Sequence, residues 1–78
     1  MGPGDRVVEV GAGLGSLTVA LAAAGAEVLA VEFDRQLLPV LREVVAPYPG
    51  VRVLEADALR VDWARELRDG GWRLVSNL

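Results

Sequence analysis

Apolar residues fall in short runs separated by polar turns along the chain. Residues 6–10, 26–32 and 51–55 are rich in valine and other strand-forming residues, and the run at 26–32 is almost uninterrupted. Such runs are typical of parallel strands covered on both faces. A shorter run at 73–76 follows an Asp-Gly-Gly turn and predicts a fourth strand.

Helical patterns occupy the intervals between these runs. Residues 16–24 are good helix formers and stop at Gly25, a typical residue for ending a helix. A short helix is expected at 62–68. Strands alternating with helices in this way predict an α/β fold with a parallel sheet and right-handed crossovers.

A proline complicates the second helix. After Asp34, apolar residues at three- and four-residue spacing predict a helix that ends near Val45. Pro39 lacks an N–H group and disfavours helical geometry at Leu38. We therefore expect a helix that either starts late, near Leu38, or has a distorted first turn.

Composition narrows the class of protein. With 78 residues there is room for one small domain, and 53% hydrophobic against 24% charged residues excludes intrinsic disorder. The sequence has no cysteine and no histidine, which excludes a disulfide scaffold, a zinc ribbon, a thiol nucleophile and a histidine-based triad or metal site. The net charge of −3 argues against a nucleic-acid surface in this segment by itself.

We expect neither a targeting segment nor a membrane span. The first residues lack the basic start and apolar run of a signal peptide, and the longest uncharged stretch, 10–26, is short and interrupted by glycines. The expectation is a soluble cytoplasmic protein.

Candidate chemistry begins where the first strand meets the first helix. Glu9 precedes three alternating glycines, Gly11, Gly13 and Gly15. Glycines permit a tight turn and close approach of a ligand to the backbone, and the helix start offers unpaired N–H groups. The dinucleotide motif G-x-G-x-x-G would need glycine at Ser16, and an acidic residue at position 9 suits an α-amino group better than a pyrophosphate. An NAD site and a turn without a ligand remain alternatives.

Polar residues also end the later strands. Glu32 lies about 20 residues beyond the loop, where a carboxylate can accept both ribose hydroxyls of a nucleoside. Asp57 follows the third strand and could accept a hydrogen bond from an adenine amino group. Asn77 ends the fourth strand, and its amide could orient an exocyclic amine. A solvated strand end, an ordinary turn and a helix cap are the alternatives for these positions.

Together these motifs resemble the ribosomal RNA adenine N6,N6-dimethyltransferase family, whose best-known members dimethylate two adjacent adenosines near the 3′ end of small-subunit rRNA. The likeness runs from G-x-G-L-G-x-L-T at 11–18 through V-E-x-D-R at 31–35 and D-A-L at 57–59 to N-L at 77–78. The resemblance implies a class I, Rossmann-like methyltransferase fold, of which this chain holds the first four strands. It also implies S-adenosyl-L-methionine as cofactor, the rRNA of the small ribosomal subunit as partner, and no metal.

The resemblance assigns roles to particular residues. Asn77 matches the first residue of the catalytic N-L-P-[YF] motif, which holds the adenine N6 amine while its nitrogen attacks the methyl group of the sulfonium. The implied cofactor-binding residues are Glu9, Gly11, Gly13, Gly15, Glu32, Asp57, Ala58 and Asn77.

The chain also departs from the family pattern. Ala12 replaces the usual proline, and the N-terminal Q-N-F-L or Q-H-F-L segment, the rest of the catalytic motif and the C-terminal helical domain are absent. Residues 1–78 are therefore expected to be a partial domain, truncated at both ends and inactive alone. The alternatives are a large-subunit rRNA adenine methyltransferase, another class I methyltransferase, an NAD-binding module and a non-catalytic interaction protein.

Overall fold

A computed structural model describes residues 3–76 as four strands and three helices. The strands are β1 (Arg6–Val10), β2 (Glu27–Glu32), β3 (Val51–Glu55) and β4 (Trp72–Ser76), and the helices are α1 (Ser16–Ala23), α2 (Leu38–Val45) and α3 (Trp63–Glu66). A single 3-10 turn covers Ala58–Arg60. Within residues 3–76, no helix has the length and apolar character needed to cross a membrane.

The strands form one parallel sheet in the order β3-β2-β1-β4. The chain moves outward from β1 to β2 and β3, then returns to the other side of β1. This reversal makes the carboxyl end of β1 a topological switch point, where open α/β sheets commonly bind ligands. The predicted α/β fold with a parallel sheet is confirmed.

The helices cover the two sheet faces unequally. On one face, α1 and α2 pack on a core that includes Val7 and Leu41, both fully buried. On the other face, Trp63 of α3 packs against Val8 and its neighbours. Because α3 is short, the sheet near β4 retains an apolar cavity of about 380 Å³, and Leu74 stays 70% exposed.

The second helix shows how a proline can set a boundary. Helix α2 begins at Leu38, with Pro39 in its first turn, where the missing N–H group sacrifices no helical hydrogen bond. The carbonyl of Asp34 accepts the amides of Leu37 and Leu38, and its side chain accepts the amide of Gln36 at 2.8 Å. Of the two expectations for this helix, the late start is the correct one.

The segment before β4 is less helical than the sequence predicts. Helix α3 ends at Glu66, so the expected helix at 62–68 is shortened at both ends, and Asp62 serves as its cap by accepting the Arg65 amide at 3.1 Å. The preceding 3-10 turn was not predicted. Its cap, Asp57, belongs to the candidate site.

Arg6 fastens the amino-terminal edge of the sheet. Its guanidinium donates to Glu27 at 3.2 Å, to Asp69 at 3.1 Å and to the carbonyl of Gly70 at 2.9 Å, and it lies 4.4 Å from the centre of the Trp72 ring. These contacts join the starts of β1, β2 and β4. The opposite, carboxyl-terminal edge carries the candidate site.

Candidate functional site

Three strand ends bring predicted site residues to one edge of the sheet. The loop of alternating glycines follows β1, Glu32 closes β2, and Asp57 lies two residues beyond β3. Parallel strands place their carboxyl ends side by side, so residues from three separate segments become neighbours.

The loop after β1 depends on glycine at alternate positions. Gly11, Gly13 and Gly15 have φ angles of 78°, 60° and 91°, in the region that favours glycine. The amides of Gly11 and Ala12 both donate to the carbonyl oxygen of Val31, at 2.9 and 3.2 Å. The start of the loop is therefore fastened to β2 by backbone hydrogen bonds.

Two of these glycines have different surroundings. A Cβ atom at Gly15 would lie 3.1 Å from Leu41 Cδ1 and 3.2 Å from Val44 Cγ1, so this glycine allows α2 to pack closely on the loop. A Cβ atom at Gly13 would meet nothing nearer than the Gly11 carbonyl at 4.0 Å. The backbone at Gly13 consequently faces open space, where a ligand can approach it.

The carboxylate of Glu32 links the first two strand ends. Its Oε1 accepts the Gly13 amide at 2.7 Å, and its Oε2 accepts the amides of Phe33 and Asp34, both at 2.9 Å. Burial by itself would raise the pKa of Glu32, but the three N–H donors together outweigh burial and hold the pKa below its ordinary value of 4.5. Glu32 is therefore negatively charged at neutral pH.

Asp57 and Ala58 form the third part of the edge. Asp57 Oδ1 accepts the Leu59 amide at 3.0 Å and so caps the 3-10 turn that begins at Ala58. Ala56 donates its amide to the backbone carbonyl of Glu32 at 3.1 Å, which ties this segment to the end of β2.

A cavity of about 370 Å³ opens between these strand ends. Its volume is within the range of roughly 300–1,000 Å³ that is usual for small-molecule sites. Two carboxylates, a glycine backbone and apolar side chains contribute to its walls. The lining residues include Gly11, Glu32, Phe33, Asp57, Ala58 and Leu59.

Glu9 lies in the interior and does not line this cavity. It has no exposed surface, and its Oε1 accepts a hydrogen bond from the buried hydroxyl of Thr18 in α1. Its Oε2 is buried without a hydrogen-bond partner among residues 3–76. Burial raises the pKa of Glu9, the Thr18 hydroxyl opposes this, and the nearby charge of Glu32 adds to it, so the pKa lies above 4.5. Its proposed contact with a ligand stays a prediction.

The described part of β4 ends one residue before the predicted catalytic residue. Asn77 lies outside the described residues, and the last described residue of β4, Ser76, pairs with Val10 at the carboxyl-terminal edge. Residues 3–76 contain no group of three or more acidic side chains arranged to hold a metal ion.

Comparison with known proteins identifies the family. The family model described as ribosomal RNA adenine dimethylase matches residues 1–77. The chain belongs to the ribosomal RNA adenine dimethylase family. This membership confirms the resemblance seen in the glycine loop and in the V-E-x-D-R and D-A-L motifs.

Curated relatives agree with this membership and are much longer than the chain. The Caulobacter vibrioides protein named ribosomal RNA small subunit methyltransferase A is 48% identical over 79 residues, covering all of this chain and 30% of the relative. The protein of the same name from Moorella thermoacetica is 51% identical over 65 residues, covering 83% of this chain and 23% of the relative. The matches thus span 23% to 30% of these relatives' length.

Solved structures agree on the fold. A dimethyladenosine transferase from Plasmodium falciparum matches the whole chain and 27% of its own, with a TM-score of 0.81 at 23% identity. Fibrillarin from Aeropyrum pernix, solved with S-adenosyl-L-methionine, matches 97% of this chain and 34% of its own, with a TM-score of 0.78 at 20% identity. The predicted class I methyltransferase fold is therefore confirmed.

The structure adds residues that the sequence analysis did not single out. Phe33 and Leu59, 67% and 95% exposed, line the cavity beside the two carboxylates. The sequence contained a signal for both residues, since each is an apolar residue within two positions of an acidic residue at a strand end. Thr18 is fully buried against Glu9, and its position two residues into α1 could have suggested that contact.

Proposed function

We propose that this chain is the cofactor-binding part of an enzyme that transfers methyl groups from S-adenosyl-L-methionine to adenine N6 in small-subunit rRNA. The observation that carries the proposal is one cavity at the switch-point edge, lined by Gly11 of the glycine loop, Glu32 and Asp57, in a member of the ribosomal RNA adenine dimethylase family. The names of the curated relatives favour the small-subunit rRNA over the large-subunit alternative.

The residues at this edge suit such a cofactor. The open backbone at Gly13 would hold its amino-acid part, Glu32 would accept from a ribose hydroxyl, and Asp57 would accept from the adenine amino group. Glu9, with one carboxyl oxygen unpartnered among residues 3–76, adds a polar group beneath the loop. When bound, the cofactor supplies an electrophilic methyl group on a sulfonium.

The remaining chemistry is positional. Asn77 is proposed to orient the N6 amine of a target adenine, because transfer to an amine requires alignment and an exposed lone pair more than a strong base. This role is compatible with a sequence that has no histidine and no cysteine. The chain's net charge of −3 leads us to place most of the RNA contact outside these 78 residues, in a complete protein that acts in the cytoplasm.

Cofactor binding is tested by titrating the chain with S-adenosylhomocysteine in a calorimeter. Asp57→Asn should bind it about tenfold more weakly, because an amide retains the oxygen that caps Leu59 but loses one acceptor of a charged hydrogen bond. Asp62→Asn is the matched control, since Asp62 caps α3 in the same way and lies outside the cavity. Equal affinity of Asp57→Asn and the native chain would contradict the role of Asp57, and selective binding of NADH would favour the dinucleotide alternative.

The rRNA target is tested in a chimera. The matching segment of the full-length Caulobacter vibrioides relative is replaced by this chain, so that the host supplies the remaining strands and the RNA-binding parts. We expect N6-dimethyladenosine in small ribosomal subunits incubated with the chimera, detected by mass spectrometry of digested rRNA, and none with Asn77→Ala. A folded chimera that binds S-adenosylhomocysteine but modifies only large-subunit rRNA would contradict the proposed substrate.

A further inference from the structure

We propose that Glu32 is also a positioning residue, whose carboxylate fixes the glycine loop at Gly13 before any ligand binds. This role concerns the ligand-free chain and is separate from the sugar contact proposed above. It rests on the hydrogen bond between Gly13 and Glu32 Oε1 at 2.7 Å, which joins residues 19 positions apart on two strand ends.

The middle of the loop depends on this hydrogen bond more than its two ends do. The start of the loop is held by the two amides that donate to Val31, and its end by the Gly15 amide, which donates to the Ala12 carbonyl at 3.1 Å. Gly13 lies between them, at φ 60° and facing open space. Glycine has the largest conformational freedom to lose on ordering, so a strong acceptor at this position has a large effect on the loop.

Glu32 is itself held firmly enough to act in this way. The amides of Phe33 and Asp34 both donate to its Oε2, the side chain is buried, and its backbone carbonyl accepts the amide of Ala56. The carboxylate is therefore fixed relative to β2 and β3. An acceptor in a fixed position can define the position of a mobile donor.

The number of lone pairs indicates how positioning and ligand contact coexist. A carboxylate offers about four acceptor sites, and the backbone amides occupy three of them. One site remains on Oε1, so one ribose hydroxyl can be accepted while the Gly13 amide stays bound. The proposed ribose contact therefore leaves the loop in place, and only this consequence rests on the proposed function.

The positioning role is tested in the ligand-free chain by nuclear magnetic resonance. On acidification, the amide signals of Gly13, Phe33 and Asp34 should shift together, with one midpoint below pH 4.5, as Glu32 takes up a proton. Other ionisable groups share this edge, so variants must assign the titration. They are Glu9 on β1, Glu55 and Arg35 beside the end of β3, and Asp34 and Asp57 in the loops.

Two variants make that assignment. In Glu32→Gln the common titration should vanish, and the Gly13 amide should exchange with solvent about tenfold faster. Asp34→Asn is the control, because Asp34 lies two residues beyond Glu32 and its side chain caps the Gln36 amide; it should leave the Gly13 titration intact. A Gly13 amide that does not follow Phe33 and Asp34 overturns the proposal, as does an unfolded spectrum of the ligand-free chain.

A modified ligand separates positioning from direct contact. An S-adenosylhomocysteine analogue without the 2′ and 3′ hydroxyls cannot donate to Glu32 through the sugar. If Glu32 positions the loop, Glu32→Gln weakens binding of this analogue several-fold, as it does for the parent ligand. Unchanged affinity for the analogue overturns the positioning role and leaves the proposed function standing. A Gly13 titration in a chain that binds neither ligand would support positioning and contradict the proposed function.

Discussion

Glu9 and Glu32 are two buried glutamates beside one loop, yet their pKa values move in opposite directions. Three backbone amides donate to Glu32 and favour its charged form, whereas Glu9 has a single hydroxyl donor and an oxygen without a partner among residues 3–76. The number of N–H and O–H donors therefore decides the direction of the pKa shift, because burial acts in the same direction on both.

The Thr18 hydroxyl should stabilise the fold through Glu9. Thr18→Val keeps the shape of the side chain but removes the donor, and we expect it to lower the free energy of unfolding by about 1–3 kcal/mol. The loss should be larger at pH 7 than at pH 4.5, since the hydroxyl favours the ionised carboxylate. Urea unfolding at both pH values measures this difference.

Thr18→Ser provides the control for that measurement. It keeps the hydroxyl and removes one buried methyl group, so its cost should be about 0.8 kcal/mol at either pH. If Thr18→Val lost the same stability at both pH values, the Thr18–Glu9 hydrogen bond would not be the cause.

At this scale the sequence indicated which strand-end residues lie close together better than it indicated their contacts. Glu32 and Asp57, singled out by their spacing after the strands, line one cavity together with Gly11 of the loop. The sequence could not indicate that Glu9 is turned toward α1, or that Glu32 accepts the Gly13 amide. Those contacts depend on side-chain rotamers and on the distance between strand ends, and neither is encoded in spacing alone.

Among the secondary-structure elements, strands were predicted more accurately than helices. The bounds of β1 and β3 match the runs at 6–10 and 51–55, because valine-rich runs bounded by turn residues favour strands. Helix ends instead depend on local hydrogen bonds. Pro39 gives α2 a late start at Leu38. The Asp57 and Asp62 caps divide the segment before β4 into a 3-10 turn and a four-residue helix.

Packing between elements helps to explain why the motif has glycine at position 15, which local turn geometry explains only in part. Gly15 has a positive φ angle, but α2 also requires it, since a Cβ atom there would press on Leu41 and Val44. The third glycine of the motif therefore connects the loop to α2. The sequence alone shows the glycine and the helix, but not that they touch.

At the scale of the whole molecule, the two ends of the sheet differ in their contacts. The amino-terminal edge is closed by Arg6, which bonds to Glu27 and Asp69 and stacks on Trp72. The carboxyl-terminal edge is left open and carries the glycine loop and the two cavity-lining carboxylates. The Arg6 contacts involve exposed side chains, so they join the strands without a large contribution to stability.

This arrangement predicts how the free energy of unfolding depends on pH. The lowered pKa of Glu32 means that its contribution is present above pH 4.5 and is lost as the pH falls through its folded value. The raised pKa of Glu9 acts in the opposite sense, with a contribution that is full below pH 4.5 and is lost as the pH rises through its folded value. The combined contribution of the two residues is therefore greatest near pH 4.5.

Two variants separate the contributions of Glu9 and Glu32 to the free energy of unfolding on the two sides of pH 4.5. Urea unfolding from pH 3 to pH 8 should show that Glu9→Gln removes a fall in stability above pH 4.5 while keeping the fall on the acid side. Glu32→Gln should flatten the acid side and keep the fall above pH 4.5. A Glu9→Gln chain that still lost the same stability between pH 4.5 and pH 8 would show that Glu9 is ionised without cost in the fold.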